Sequence, residues 1–154
     1  MDAEIRELNP QPTLVMRRRV ELAGIGQFVQ EAFGAVYGLL AARGIAPTGM
    51  PFTRYLEMSE TSMDVEAGTA VPVATTGEGD VVASELPGGP CAVTWHIGPF
   101  DTISETYEAL SAWIAALQRA PGGPPWECYW TDPSSEPDPA KWRTEVFQPL
   151  TPSP

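Results

Sequence analysis

The chain has 154 residues, 43% hydrophobic and 19% charged, enough to bury one core or two small lobes that share it. Nine basic residues against 20 acidic ones leave a formal charge of −11. That balance disfavours a protein that grips phosphate backbones, which needs a basic face, and weakly favours cationic partners.

The first ten residues, MDAEIRELNP, lack the basic start and apolar stretch of a signal peptide, and no apolar run in the chain approaches the length that spans a bilayer. A cytoplasmic location, away from membranes, is expected. Residues 4–8 and 13–22 read as two strands joined by a proline-containing turn. The only basic cluster, Arg17, Arg18 and Arg19, lies inside the second of these. Alternation along a strand cannot aim three successive residues the same way, so strand and rim charges are favoured over a nucleic-acid patch. Val29, Phe33, Val36 and Leu40 recur at intervals of 4, 3 and 4, which puts them on one helix face, and Gly44 is the predicted stop. Strands are predicted at 53–58 and 63–73, then a turn-forming loop at 75–80 and strands at 81–86 and 91–97. Ile103, Tyr107, Leu110 and Ile114 repeat the 4, 3, 4 spacing, and Pro121-Gly122-Gly123-Pro124 should end that helix. A strand at 127–131, a loop at 132–140 and a strand at 143–148 complete the chain. With 17 prolines the connections are stiff.

The two helices belong to a repeat. Laid on residues 98–129, the segment 24–55 is identical at eight of 32 positions, including Gly24/Gly98, Glu31/Glu105, Pro51/Pro125 and Tyr55/Tyr129. Unrelated segments of this composition give about two or three. Phe33/Tyr107, Leu40/Ile114 and Phe52/Trp126 keep their apolar character, and residues 7–12 match 85–90 at a slightly longer offset, the difference absorbed by Val20 to Ala23. The expected fold class is α+β in a single domain over 1–154. Its halves, about 4–74 and 80–150, each run strand, strand, helix, strand, strand. They are related by a pseudo-two-fold in an antiparallel sheet with its helices on one face, and a ligand cleft lies centrally between them.

Cys91, Cys128 and His96 are too few and too scattered for a zinc site, so no metal or other cofactor is expected. Two buried thiols are preferred over a disulfide between the cysteines. His96 reads as structural, with no serine or cysteine context for a triad. The glycines form no phosphate loop.

The second half carries an ordered series of short motifs: His96-Ile97-Gly98-Pro99-Phe100; Tyr107, Leu110 and Trp113 at intervals of three; Pro125-Trp126-Glu127 with Tyr129 and Asp132-Pro133; and Arg143-Thr144-Glu145-Val146 with Pro149-Leu150. In order and spacing this resembles the GyrI-like small-molecule-binding domain, the effector-binding domain of AraC- and MerR-type regulators, from about Ile5 to Leu150. The resemblance implies a stand-alone form, since little precedes the first strand and no room is left for a helix-turn-helix. It further implies binding of hydrophobic, cationic or aromatic small molecules, for sensing or sequestration of drugs and toxins. Two alternatives come with it: hydrolysis of the strained cyclopropane ring of alkylating genotoxins, and interaction with DNA gyrase or with a separate regulator.

Glu127 matches the family's acidic ligand-contacting residue. A carboxylate held short of water in an aromatic-walled groove is compensated by an organic cation or an electron-poor centre. Tyr129 shares its strand face, and the repeat partner Tyr55 would take the related place, each as a stacking wall or as ordinary packing. Tyr107 lies on the buried helix stripe, where its hydroxyl needs a partner and could reach the ligand. Trp126, Cys128 and Trp130 alternate away from Glu127 and are expected in the core or facing a helix, with Trp130 left open as a ligand contact. Trp95 is favoured as core over cleft wall. Met16, Met58 and Met63 are adaptable lining candidates, with gap-filling as the default. If the chain is an enzyme, Glu127 would act as general base on a water, with Tyr129 or Tyr55 as the weak acid.

Overall fold

The computed structural model describes residues 1–152, which form two compact units: residues 1–9 with 88–152, and residues 10–87. Each unit is a four-stranded antiparallel sheet with one long helix against one face, an α+β fold as expected. In the unit of residues 10–87 the strands are β2 (Gln11–Glu21), β3 (Phe52–Met58), β4 (Ser62–Ala70) and β5 (Val82–Leu86). They pair in the order β5-β2-β4-β3, with helix α1 (Ile25–Arg43). In the other unit β1 (Ala3–Leu8), β6 (Gly89–Ile97), β7 (Trp126–Tyr129) and β8 (Arg143–Pro149) pair in the order β1-β6-β8-β7, with helix α2 (Ile103–Ala116).

The two units share one pairing scheme but not one order along the chain: residues 10–87 run strand, helix and three strands without a break, whereas the other unit joins β1 to a later strand, helix, strand and strand. The strands on either side of the first turn are not partners: β1 pairs with β6, and β5 pairs with β2. Pro10 and Pro12 explain the first exchange. A proline fixes φ near −65° and pushes the residue before it into extended backbone, and no residue between β1 and β2 takes the positive φ of a two-residue hairpin. The chain therefore runs straight on into β2.

Helix α1 buries Phe28, Ala32, Val36 and Leu40 against Leu14, Met16, Val65 and Ala67, while Val29 and Phe33 are half-buried at the edge of that cluster. The fully buried stripe is thus an i, i+4 series displaced slightly from the predicted one. Each large side chain contributes about 1.5–3 kcal/mol by leaving water. Gly44 ends the helix as expected, in the left-handed conformation (φ 65°), with Ile45 N–H donating to Leu40 O at 3.0 Å. Helix α2 ends sooner than predicted, at Ala116, where Gln118 takes a positive φ (58°) ahead of the Pro-Gly-Gly-Pro run. Its Leu110 and Ile114 pack on Ala92, Val146 and Leu150.

The three clustered arginines are each engaged within their unit. Arg17 pairs with Asp64 at 2.7 Å, Arg18 with Glu31 at 2.8 Å while lying over the Phe28 ring, and Arg19 donates to Ser62 Oγ at 2.9 Å. Both cysteines are free thiols, their pKa values pushed up to about 12 chiefly by burial. Among the described residues no helix is long and apolar enough to cross a membrane.

Candidate functional site

Strand β7 is short, and its alternation decides the site. Trp126 stacks on Phe147, rings nearly parallel with centroids 5.1 Å apart, and locks the start of the strand to β8. Of the two places expected for Trp126, core or facing a helix, it takes the core: it is 3% exposed, and the stack lies on the side of the sheet away from α2. Glu127 and Tyr129 consequently point to the α2 side, opposite Val146 and Thr144 of β8.

There Glu127 is only 5% exposed, and both of its carboxylate oxygens are held. Tyr107 of α2 donates its hydroxyl to Oε2 at 2.8 Å, and Tyr129 donates to Oε1 at 2.8 Å. A carboxylate with no proton accepts only, so the two phenol donors fix its orientation. Tyr107 reaches this point because it lies one turn from Leu110, at the edge of the α2 core.

Aromatic walls continue outward. Phe100 meets Tyr129 edge to face at 5.6 Å and lies tilted against Trp142 at 5.2 Å, with 37% of its own surface exposed. The Gly98-Pro99 corner presents it. Gly98 takes φ 134°, a conformation open to glycine, and its N–H bonds Trp142 O at 2.8 Å. His96 secures this corner. Its Nε2 lies 2.8 Å from Pro99 O, which can only accept, so Nε2 donates there, and Nδ1 lies 2.7 Å from Thr106 Oγ1. The structural reading of His96 fits this geometry. Thr144 Oγ1, next to Tyr129 in the sheet register, is buried without a hydrogen-bond partner.

Of the residues singled out in the sequence, Glu127, Tyr107 and Tyr129 come together. Trp95 and Trp130 meet each other instead, edge to face at 5.7 Å, on the sheet face away from α2. There Arg143 stacks over Trp95, and Trp130 Nε1 donates to Glu145 at 3.2 Å. In the unit of residues 10–87, Tyr55 is half-buried at the edge of the α1 core, Met16 is 4% exposed within it, and Met63 packs against it. Met58 stands at the end of β3, 67% exposed.

Sequence reasoning passed over Phe100 and Trp142 as wall residues. The Gly-Pro pair ahead of Phe100 was the available signal, whereas Trp142 follows a loop and has no periodic neighbours. It also passed over two buried carboxylates at equivalent registers. Glu145 is held by Arg6 at 3.0 Å and by Trp130, and Glu66 by Ser84 Oγ at 3.3 Å from each oxygen, with Arg54 at 3.9 Å. Burial is the main influence on Glu66 and raises its pKa, outweighing Arg54 and Ser84.

Two like-built α+β units, one holding an oriented carboxylate beside aromatic walls, place this protein among small ligand-binding modules of mixed sheet and helix. The chain belongs to the GyrI-like family: the model of the GyrI-like small molecule binding domain matches residues 1–151. Among solved structures it is similar to the C-terminal domain of EcmrR (TM-score 0.85, 23% identity, 99% of this chain and 98% of that one). It also matches EcmrR in its complex with DNA (TM-score 0.82, 23% identity), covering 99% of this chain and 58% of that longer one. SAV2435 bound to tetraphenylphosphonium matches with a TM-score of 0.67 and 16% identity, over 98% of this chain and 94% of that one. A hydrolase from Listeria innocua matches at 0.71 and 13% identity, over 97% and 91%. At such identities the likeness carries the fold alone. No curated protein matches this chain by sequence.

Proposed function

We propose that this protein binds hydrophobic cations and aromatic small molecules at Glu127, as a sensor or sequestrant of drug-like or toxic compounds on the cytoplasmic side of the cell. The observation that carries the reading is a carboxylate 5% exposed, with each oxygen held by a phenol and the rings of Tyr129 and Phe100 beside it. Burial leaves the charge short of water, and a lipophilic cation restores compensation while its apolar groups cover the rings. The tetraphenylphosphonium held by SAV2435 is of this chemical class and supports the choice of probe.

The test is titration with tetraphenylphosphonium and with tetraphenylborate, which has the same shape and the opposite charge. A unit charge about 6 Å from the carboxylate at an effective dielectric of about 20 gains about 3 kcal/mol before screening. Glu127→Gln should therefore weaken the cation about 10- to 100-fold and leave the anion no worse bound. Equal affinity of wild type and variant for the cation would remove Glu127 from the site.

A second reading rests on the same pair. Tyr129 O–H lies 2.8 Å from the carboxylate, which supports a reading in which Glu127 takes a proton from water while a phenol polarises a departing electron pair, the acid–base set that opening a strained ring requires. In that case Glu127→Gln abolishes loss of a cyclopropanoid chromophore while binding of the compound persists. Undiminished turnover by the variant excludes this chemistry.

A further inference from the structure

Strand β1 is the outer strand of its unit: among the described residues it pairs with β6 alone. Hydrogen bonding along β6 fixes which of its backbone groups are free. Leu150 N–H donates to Pro90 O, and Gly98 N–H to Trp142 O, at the two ends of the β6–β8 ladder, whose register does not shift between them. Successive residues of a strand turn their backbone groups to opposite neighbours, so Cys91, Val93 and Trp95 turn theirs to β1. Arg6 lies opposite Cys91 and Glu4 opposite Val93. Ala3, Ile5 and Glu7 therefore present N–H and C=O outward, in a row.

The side chains of this edge complement their own copy. Glu4 and Arg6 share one face of the strand, where Arg6 Nε donates to Glu4 Oε1 at 2.7 Å and Nη1 to Glu145 Oε2 at 3.0 Å. Glu4 Oε2 and Arg6 Nη2 are left without partners among the described residues, and the Glu4 side chain is 59% exposed. On the other face Ala3 packs against the α2 core, whereas Ile5 is 40% exposed.

Edge strands are ordinarily protected by charges that repel a second edge. The alternation here does the opposite. An antiparallel ladder forms only where both edges turn backbone groups outward, which sets Ala3, Ile5 and Glu7 of one copy opposite those of the other. Centred on Arg6, such a ladder opposes two guanidiniums. Centred on Glu4, it opposes two carboxylates and pairs only Ala3 to Ile5 within the strand. Centred on Ile5, it sets Ile5 on Ile5, Ala3 on Glu7, and Glu4 on Arg6 twice, at the non-bonded positions where Cα atoms approach to about 4.5 Å. Carboxylate and guanidinium then alternate around the two-fold axis and engage the unused Oε2 and Nη2. The pattern is its own complement, which selects a second copy of this chain as the occupant. We propose that β1 is a self-association edge, where two copies join antiparallel about Ile5 and close as a dimer. A strand of six residues buries less than the roughly 1,200 Å² of a standard interface, so the dimer is weak, forming between about 10 and 1,000 µM.

Sedimentation equilibrium of the full chain tests this, with a monomer–dimer equilibrium expected in that range and weakening as salt rises. Ile5→Pro removes an outward N–H that the fold itself does not use. It should weaken the dimer about tenfold or more and leave thermal unfolding of dilute protein nearly unchanged. Ile5→Cys under mild oxidation should give a disulfide-linked dimer, since the facing residues at the axis lie about 5.5 Å apart. Glu7→Cys should not, because its two thiols stand about 14 Å apart in this register. The proposal is overturned if the chain stays monomeric up to about 1 mM, if it grows beyond a dimer, if Ile5→Pro associates as wild type does, or if Glu7→Cys crosslinks as readily as Ile5→Cys.

Discussion

Tyr107→Phe removes one O–H between α2 and β7 and leaves the ring in its packing, so it isolates what holds Glu127. The hydroxyl donates to Oε2 at 2.8 Å, and its acceptor is a charged group 5% exposed. A hydrogen bond to a charged partner contributes about 1.5–3 kcal/mol net. Tyr107 is only half-buried, so water recovers part of the loss and the low end applies, about 1.5 kcal/mol. With a urea m-value of about 2 kcal/mol/M, the unfolding midpoint should fall by about 0.7 M. In the Glu127→Gln background the acceptor is a neutral amide, and the same Tyr→Phe change should cost only about 0.5 kcal/mol, which makes the coupling about 1 kcal/mol. The assay is equilibrium urea unfolding followed by tryptophan fluorescence and by far-ultraviolet circular dichroism together, because two compact units can unfold separately. A Tyr107→Phe protein within about 0.3 kcal/mol of wild type, or an equal loss in both backgrounds, would show that Tyr107 packs without anchoring the carboxylate.

Glycines at two positions should respond in opposite directions. Gly34→Ala, on the open side of α1, should stabilise the chain by about 0.5–1 kcal/mol, whereas Gly68→Ala drives a Cβ into the Leu14 carbonyl across the β2–β4 ladder and should cost at least about 3 kcal/mol; thermal unfolding of the two variants separates them, and similar midpoints would contradict the packing. Glu66 has a pKa raised by burial above its ordinary 4.5, so the folded state favours its protonated form. The resulting penalty is full at pH values above the raised pKa and disappears below the unfolded one. Glu66→Gln should accordingly gain on wild type as pH rises from about 4 to 7, and a gap in urea stability that does not move with pH would refute the assignment. Cys91 and Cys128, with pKa values pushed up to about 12, should resist iodoacetamide at pH 8 in the native protein and react readily once it is unfolded, as read by mass spectrometry. Rapid native alkylation of either would mean a more open thiol than the packing allows.

Local chemistry determined much of this protein from the sequence alone. The 4, 3, 4 spacings located both α-helices of the described residues, Gly44 stopped the first, and the β-rich runs fell within a few residues of their eight strands, because each feature depends on neighbours a few residues away. Glu127, Tyr129 and Tyr107 were legible as candidates through the motif that contains them and through alternation on β7, and the tertiary structure brought the three within hydrogen-bonding reach. Partner choice was not legible. That β1 pairs with β6 and β5 with β2 depends on two stiff connections and on sheet edges distant in sequence, which no local periodicity records. The direction of Trp126 was likewise settled by its stack on Phe147, 21 residues further along the chain, and with it the side of the sheet that Glu127 occupies. Sequence supplied the carboxylate and the two phenols; only the pairing of β7 with β8 beneath α2 took that carboxylate out of water, and burial is what gives its charge a use.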